Sequence, residues 1–144
     1  MRVKLIRDGR VVEDDWDGPL LSLEKLNAGV SGDGLGLVLQ PGESPQQIGV
    51  ELSRLSLVAI HFPVLTDGRG FSYARELRER GFRGEIRATG EFTRDQLFYL
   101  KRCGFNAFQL ADESQLEESL ANLEDFSEVY QASIEQPEPL FRRR

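Results

Sequence analysis

The chain of 144 residues reads as a single α/β domain. The predicted architecture is a mostly parallel sheet of about four sequential β-α units, half-barrel-like, with an N-terminal β-hairpin. Three observations predict this class. Short apolar runs recur at Leu35–Gln40, Leu57–Phe62, Glu85–Thr89 and Ala107–Leu110. Each run is followed by a loop and then by a helix-start signature, not by a two-residue turn. The spacing between runs suits right-handed β-α-β crossovers and is too long for hairpins.

Each element has a local reason. Residues 2–13 read as a hairpin, because Val3 and Leu5, then Val11 and Val12, flank Asp8-Gly9, a strong turn signal. Ser22 can cap a short helix ending near Gly29, and Val30–Gly34 is a loop by composition. Pro41-Gly42 stops the strand at 35–40. Ser44-Pro45-Gln46-Gln47 then forms a capping box with proline at the first helical position, which predicts a helix to about Leu55. After the strand Leu57–Phe62, a helix is expected from about Gly70 to Arg80, with Gly81 as its stop. Thr93–Gln96 is a second capping box, for a helix ending at Cys103-Gly104, and Ser114–Glu117 is a third, for a helix to about Leu123. Ser127–Ile134 reads as a final edge strand. The domain is therefore 1–135, with 136–144 a mobile tail carrying two prolines and three terminal arginines.

Composition excludes several function classes. A net charge of −6 disfavours nucleic acid as a partner, since phosphate binding needs a basic surface. No apolar run approaches the ~20 residues of a membrane span, and the N-terminus lacks the apolar core of a secretory signal. One cysteine and one histidine cannot assemble a zinc site or an iron–sulfur cluster, and no flavin or nicotinamide fingerprint is present. The expectations are a cytoplasmic protein without metal or cofactor.

Alternation along the strands places Val58, Ile60 and Phe62 on one face and Leu57, Ala59 and His61 on the other. By the same rule Gln40, His61, Arg87 and Gln109 share a polar face near the strand ends. One reading is a half-covered sheet whose polar residues are separately solvated. The other is a polar row lining a concave surface, as inside part of a β/α barrel. An arginine within a parallel strand favours the second, because a buried guanidinium needs a partner. Asp67, Glu91 or a bound anion are the expected partners.

The densest polar and glycine cluster is Thr66-Asp67-Gly68-Arg69-Gly70, directly after the strand ending at Phe62. Asp67, Gly68, Arg69 and Gly70, with Arg87 and Glu91, are the candidate ligand-binding residues. Glycines expose backbone N–H groups, a helix N-terminus favours an anion, and two arginines could clamp a small oxyanion. The structural alternative is a tight loop capped by Asp67. His61, at a strand end, is the tentative proton-transfer residue, with a satisfied structural histidine as the alternative. Arg75, Arg78 and Arg80 with Glu76 and Glu79 read as a solvated helix face, Asp95 and Gln96 as capping residues, and Cys103 as a buried structural thiol.

The run from Phe62 to Phe108 resembles a bacterial family of unknown function whose members are typically encoded beside the sulfite reductase haemoprotein. The matching blocks are Phe62-Pro63, Thr66–Ser72, Ala74-Arg75, Leu77-Arg78, Gly84–Ala88, Gly90, Asp95-Gln96 and Arg102–Phe108. This chain departs from the family where Phe71 stands for a frequent tyrosine and Glu91 for a frequent aspartate. The resemblance implies an accessory role in assimilatory sulfite reduction and cysteine biosynthesis, through protein–protein contact with the sulfite reductase haemoprotein. The residues themselves support an alternative, a small enzyme or sensor that binds an oxyanion or a phosphorylated or sulfated metabolite at Asp67–Gly70. Polar residues on the concave face can stay wet, so a monomer or weak dimer is expected.

Overall fold

The computed structural model describes residues 3–62, 69–90 and 92–121. Strands β1 (Lys4–Arg7) and β2 (Arg10–Glu13) form the expected hairpin. Asp8 and Gly9 at its turn have φ of 52° and 81°, the left-handed backbone that a two-residue hairpin turn demands. Next come β3 (Leu20–Ser22), α1 (Leu23–Asn27), β4 (Leu35–Leu39) and β5 (Leu55–Phe62). Helix α2 (Arg69–Glu79), β6 (Glu85–Gly90), α3 (Arg94–Cys103) and β7 (Ala107–Leu110) follow, and a helix α4 occupies 116–121.

All seven strands belong to one sheet in the order β2-β1-β7-β6-β5-β4-β3. Strands β3 to β7 are parallel and lie in sequence order, and β1 joins β7 antiparallel. The sheet is thus larger than four units. Leu20–Ser22 adds a fifth parallel strand at one edge, and the hairpin covers the other. A three-residue strand that opens straight into a helix N-cap carries too little alternation to be seen in sequence.

The described helices pack on one face. Leu23 and Leu26 of α1, Ala74 and Leu77 of α2, Leu97 and Leu100 of α3, and Leu116 of α4 join Leu37, Leu39, Val58, Ile60, Ile86, Ala88 and Phe108 in one buried cluster. Helix α2 sits close because its second residue is Gly70, where a Cβ would lie 2.4 Å from the Phe62 ring. Phe62 in turn contacts Phe71, Phe92 and Phe105, with ring centroids 5.4, 5.7 and 5.9 Å away.

Two local expectations change. The capping box Ser44–Gln47 forms, yet it opens only a 3₁₀ turn (Pro45–Gln47) in place of a helix to Leu55. Asn27 of α1 explains the stop. Its Nδ2 donates to the Gln47 carbonyl and its Oδ1 accepts from the Gly49 N–H, both at 2.8 Å, so the groups that would extend a helix are taken. After β7 the capping residue is Asp112, which accepts from the Ser114 N–H at 3.0 Å, so the turn begins two residues before the expected box. The expected strand at 127–134 and the tail 136–144 lie outside the described residues.

The link from β2 to β3 constrains the sheet's shape. Those strands are its opposite edges, six inter-strand spacings of about 4.8 Å apart, or roughly 29 Å if the sheet were flat. The chain from Glu13 to Leu20 can reach at most about 25 Å. The sheet must therefore curl, and residues 14–19 form a strap across its concave face. Trp16 shows the crossing, because its ring lies 2.9 Å from where a Gly36 Cβ would stand on β4.

Gly90 ends β6 with φ 140°, and a Cβ there would meet the Phe62 carbonyl oxygen at 2.4 Å. Gly90→Ala should destabilise the fold by roughly 2–4 kcal/mol in urea unfolding. Gly42→Ala, at φ 89° with nothing within 4 Å, should cost only about 1 kcal/mol.

Candidate functional site

The concave face lacks helices among the described residues, yet Leu5, Leu57, Ala59 and Ala107 on it are buried. The strap lies on this face, with Trp16 against Gly36 and Asp14 on Arg87. Toward the carboxyl ends of the strands the face stays open as a cavity of about 390 Å³, lined by Leu20, Val38, Gln40, Leu57, Ala59, His61, Arg87, Thr89 and Gln109. Carboxyl ends of parallel strands are where α/β folds place their sites.

Strand register sorts these side chains into layers. His61 pairs with Thr89 and Thr89 with Gln109, and Gln40 follows directly after Leu39, which pairs with Ile60. Gln40, His61, Thr89 and Gln109 thus form one polar layer across four adjacent strands. Arg87, expected in that row, lies one layer deeper, opposite Ala59 and Ala107. The upper layer is internally bonded, with His61 Nδ1 and Thr89 Oγ1 2.8 Å apart, which leaves the His61 Nε2 edge for the cavity.

Arg87 is 4% exposed, and among the described residues its partners are Asp14, Glu85 and Gln109. Its two terminal nitrogens donate to Asp14 at 3.0 and 3.1 Å, and its Nε donates to Glu85 at 2.7 Å. A further N–H reaches Gln109 Oε1 at 3.3 Å. Arg7 joins from β1, binding Glu85 at 2.9 Å and Asp15 at 3.2 Å, and Ala107 is small enough to let the two strands' side chains meet above it. Burial works against the Arg87 charge, but its hydrogen bond to Asp14 and the charge and bond of Glu85 raise its pKa overall. Burial would likewise raise the Asp14 pKa. The hydrogen bonds from Arg87 and the Trp16 N–H, with the charges of Arg87 and Arg7, bring it below the ordinary 3.8.

The strap residues Asp14 and Trp16 were not legible as parts of this site. Asp14 is 73 residues from Arg87, and the only sequence hint is a lone tryptophan amid three aspartates before Gly18-Pro19. Trp16 Nε1 is buried with no hydrogen-bond partner among the described residues.

The other candidates fall as follows. Asp67, Gly68 and Glu91 lie outside the described residues. Arg69 begins α2, and Gly70 packs on Phe62 from the helix face. Gln96 accepts from the Thr93 N–H at 2.8 Å and completes the capping box, and Cys103 is buried. Arg78 is no part of a solvated face. Its guanidinium donates to the carbonyls of Phe82, Gly84 and Gly104 and ties α2 to the loops below the sheet, where burial lowers its pKa. Among the described residues no cluster of three or more His, Cys, Asp or Glu could hold a metal, and no helix is long and apolar enough to cross a membrane.

A family model described as "Bacterial protein of unknown function (DUF934)" matches residues 36–141, and the chain belongs to that family. No curated protein and no solved structure matches. The matched span begins after the strap and contains every residue of the polar layer.

Arg87→Met should cost about 3 kcal/mol, since it strands two carboxylates on the concave face. Asp14 binds its proton less readily in the folded state, so its contribution is present above 3.8 and is lost as pH falls through its lower folded value. The stability difference between the wild type and Asp14→Asn should therefore be constant near neutrality and shrink below about pH 4. Urea titrations across pH check both.

Proposed function

We propose that this protein is a small-ligand-binding domain whose site is the polar layer above Arg87 on the concave sheet face. One observation carries the reading. Four consecutive parallel strands each deliver one hydrogen-bonding side chain, Gln40, His61, Thr89 and Gln109, to the same register layer beside a cavity of about 390 Å³. That volume falls in the range of metabolite pockets. An apolar wall of Val38, Leu57 and Ala59 beneath a few convergent polar groups is the usual composition of such sites.

The setting we propose for this binding is assimilatory sulfite reduction, where the domain acts as an accessory protein in cysteine biosynthesis by contact with the sulfite reductase haemoprotein. The specific blocks between Phe62 and Phe108 support that second element, and the chain is proposed to work as a monomer or weak dimer. An oxyanion or a phosphorylated or sulfated metabolite at Asp67–Gly70 is a further ligand reading. It draws on Arg69, Gly70 and Glu91, which follow β5 and β6 in the chain. Arg87 would add little to it, because its guanidinium already binds two carboxylates.

Thermal-shift screening of polar metabolites tests the site. A ligand present at 100 times its dissociation constant should stabilise the fold by about 2.7 kcal/mol, and His61→Leu should remove most of that gain. No shift across sulfite, sulfate, phosphate, sulfated nucleotides and uncharged metabolites would count against the binding reading. Copurification with the cognate sulfite reductase tests the setting. No binding at tens of micromolar, with full reductase activity in a deletion strain, would overturn it.

A further inference from the structure

A second cavity, of about 580 Å³, lies at the opposite end of the sheet from the polar layer, at the amino ends of β5 and β6. Its walls are the turn that leads into β5 and the loop that leads from α2 into β6. Every residue of both walls is among the described residues. Glu51, Leu52 and Ser53 stand on the first wall, and Arg80, Phe82 and Arg83 on the second. The volume falls in the range of metabolite pockets.

Hydrogen bonds to the backbone hold both walls. The Arg54 N–H donates to the Glu51 carbonyl at 3.0 Å, and the Arg54 guanidinium ties this turn to the carbonyls of Val30 and Gly32. Across the cavity, the Gly81 and Phe82 N–H groups donate to the Arg78 and Leu77 carbonyls at 3.0 Å. The Arg78 guanidinium holds the carbonyls of Phe82 and Gly84. Walls fixed in this way need little ordering when a ligand arrives.

The charged groups around the cavity differ in what they are left to do. Arg54 and Arg78 are committed to carbonyls, and Arg80 binds Glu76 at 2.7 Å. Among the described residues, the Arg83 guanidinium has no hydrogen-bond or ion-pair partner, and neither has the Glu51 carboxylate. Burial first, and the Arg83 charge second, lower the Arg78 pKa, which puts the two guanidiniums near each other on one wall. The cavity thus presents a guanidinium and a carboxylate from opposite walls, too far apart to pair with each other. Leu52, half-buried on the core's edge, lies beside the carboxylate. A ligand with a single charge gains one of these partners and is repelled by the other. A ligand carrying both signs on neighbouring atoms gains both, with the guanidinium suited to a carboxylate.

We infer that this cavity binds a free α-amino acid with an apolar side chain, its carboxylate on Arg83, its ammonium on Glu51 and its side chain against Leu52. The concave face plays no part in that binding.

A charge series of one shape tests this. Leucine, isocaproate and isoamylamine share a branched chain and carry both charges, the negative one alone and the positive one alone. Each would be titrated at millimolar concentration into ¹⁵N-labelled full-length protein at neutral pH and followed by amide NMR shifts. Leucine should move the backbone signals of Leu52, Ser53, Arg83 and Gly84 and leave those of His61, Thr89 and Gln109 in place. Each analogue should bind about fivefold more weakly, the worth of one solvent-exposed ion pair. Glu51→Gln should weaken leucine by a similar factor without weakening isocaproate. Arg83→Gln should weaken leucine likewise without weakening isoamylamine. Both side chains are exposed, so neither variant disturbs the core. An analogue that binds as tightly as leucine, a variant that weakens all three compounds equally, or cavity signals that none of them moves would overturn the inference. None of these outcomes touches the concave site.

Discussion

A single guanidinium holds the concave side of this sheet together. Arg87 sits inside a central parallel strand with its side chain 5% exposed, where an unpaired charge would be costly. Two carboxylates and a glutamine oxygen satisfy it, and one of those carboxylates belongs to Asp14, on the strap that joins the two edges of the sheet. The bond therefore does more than neutralise a buried charge. It fixes the path of residues 14–19 across the curled face and so decides how much of that face stays open. It also sets the orientation of Gln109 in the layer above.

Other contacts act on the strap beside this bond. Trp16 buries much of its ring against Gly18 and Gly36, where any side chain on either glycine would collide with it. Among the described residues its indole N–H has no partner, which costs about 1–3 kcal/mol and offsets part of the gain from burying the ring. Chain length contributes a constraint and not an energy. Too few residues separate β2 from β3 to bridge a flat sheet, so docking the strap and curling the sheet are one event. On the opposite face the helices need no such device, because Leu77, Leu97, Leu100 and their neighbours close an ordinary apolar core.

What the sequence disclosed follows from the range of the interactions involved. The hairpin turn at Asp8-Gly9 and the caps at Ser22 and Thr93 rest on contacts within a few residues, and the four central strands announce themselves by their own short apolar runs although their pairings are long-range. Each was readable in place. Strand alternation also assigned Gln40, His61, Arg87 and Gln109 to one face, although it could not resolve that Arg87 lies a layer below the others. The failures were non-local. Asn27 truncates the turn at Pro45–Gln47 from 20 residues away, and the partner of Arg87 lies on the far side of the chain. Arg78 looked solvated because its three carbonyl partners belong to loops whose positions depend on the whole fold. Of the loop candidates, Asp67, Gly68 and Glu91 lie outside the described residues, and the described part of the site is carried by the strands.

Trp16 is the only tryptophan in the chain, which makes its fluorescence a direct report on the strap. The decisive measurement is acrylamide quenching and emission wavelength of Trp16 in the wild type and in Asp14→Asn, below the unfolding transition and with far-ultraviolet circular dichroism recorded in parallel. If the Arg87–Asp14 bond holds the strap, the wild-type indole is shielded and blue-shifted. In Asp14→Asn it becomes quenchable and red-shifted while the secondary structure stays intact. An indole as shielded in the variant as in the wild type would show that the strap docks without this bond, and the central claim would be wrong.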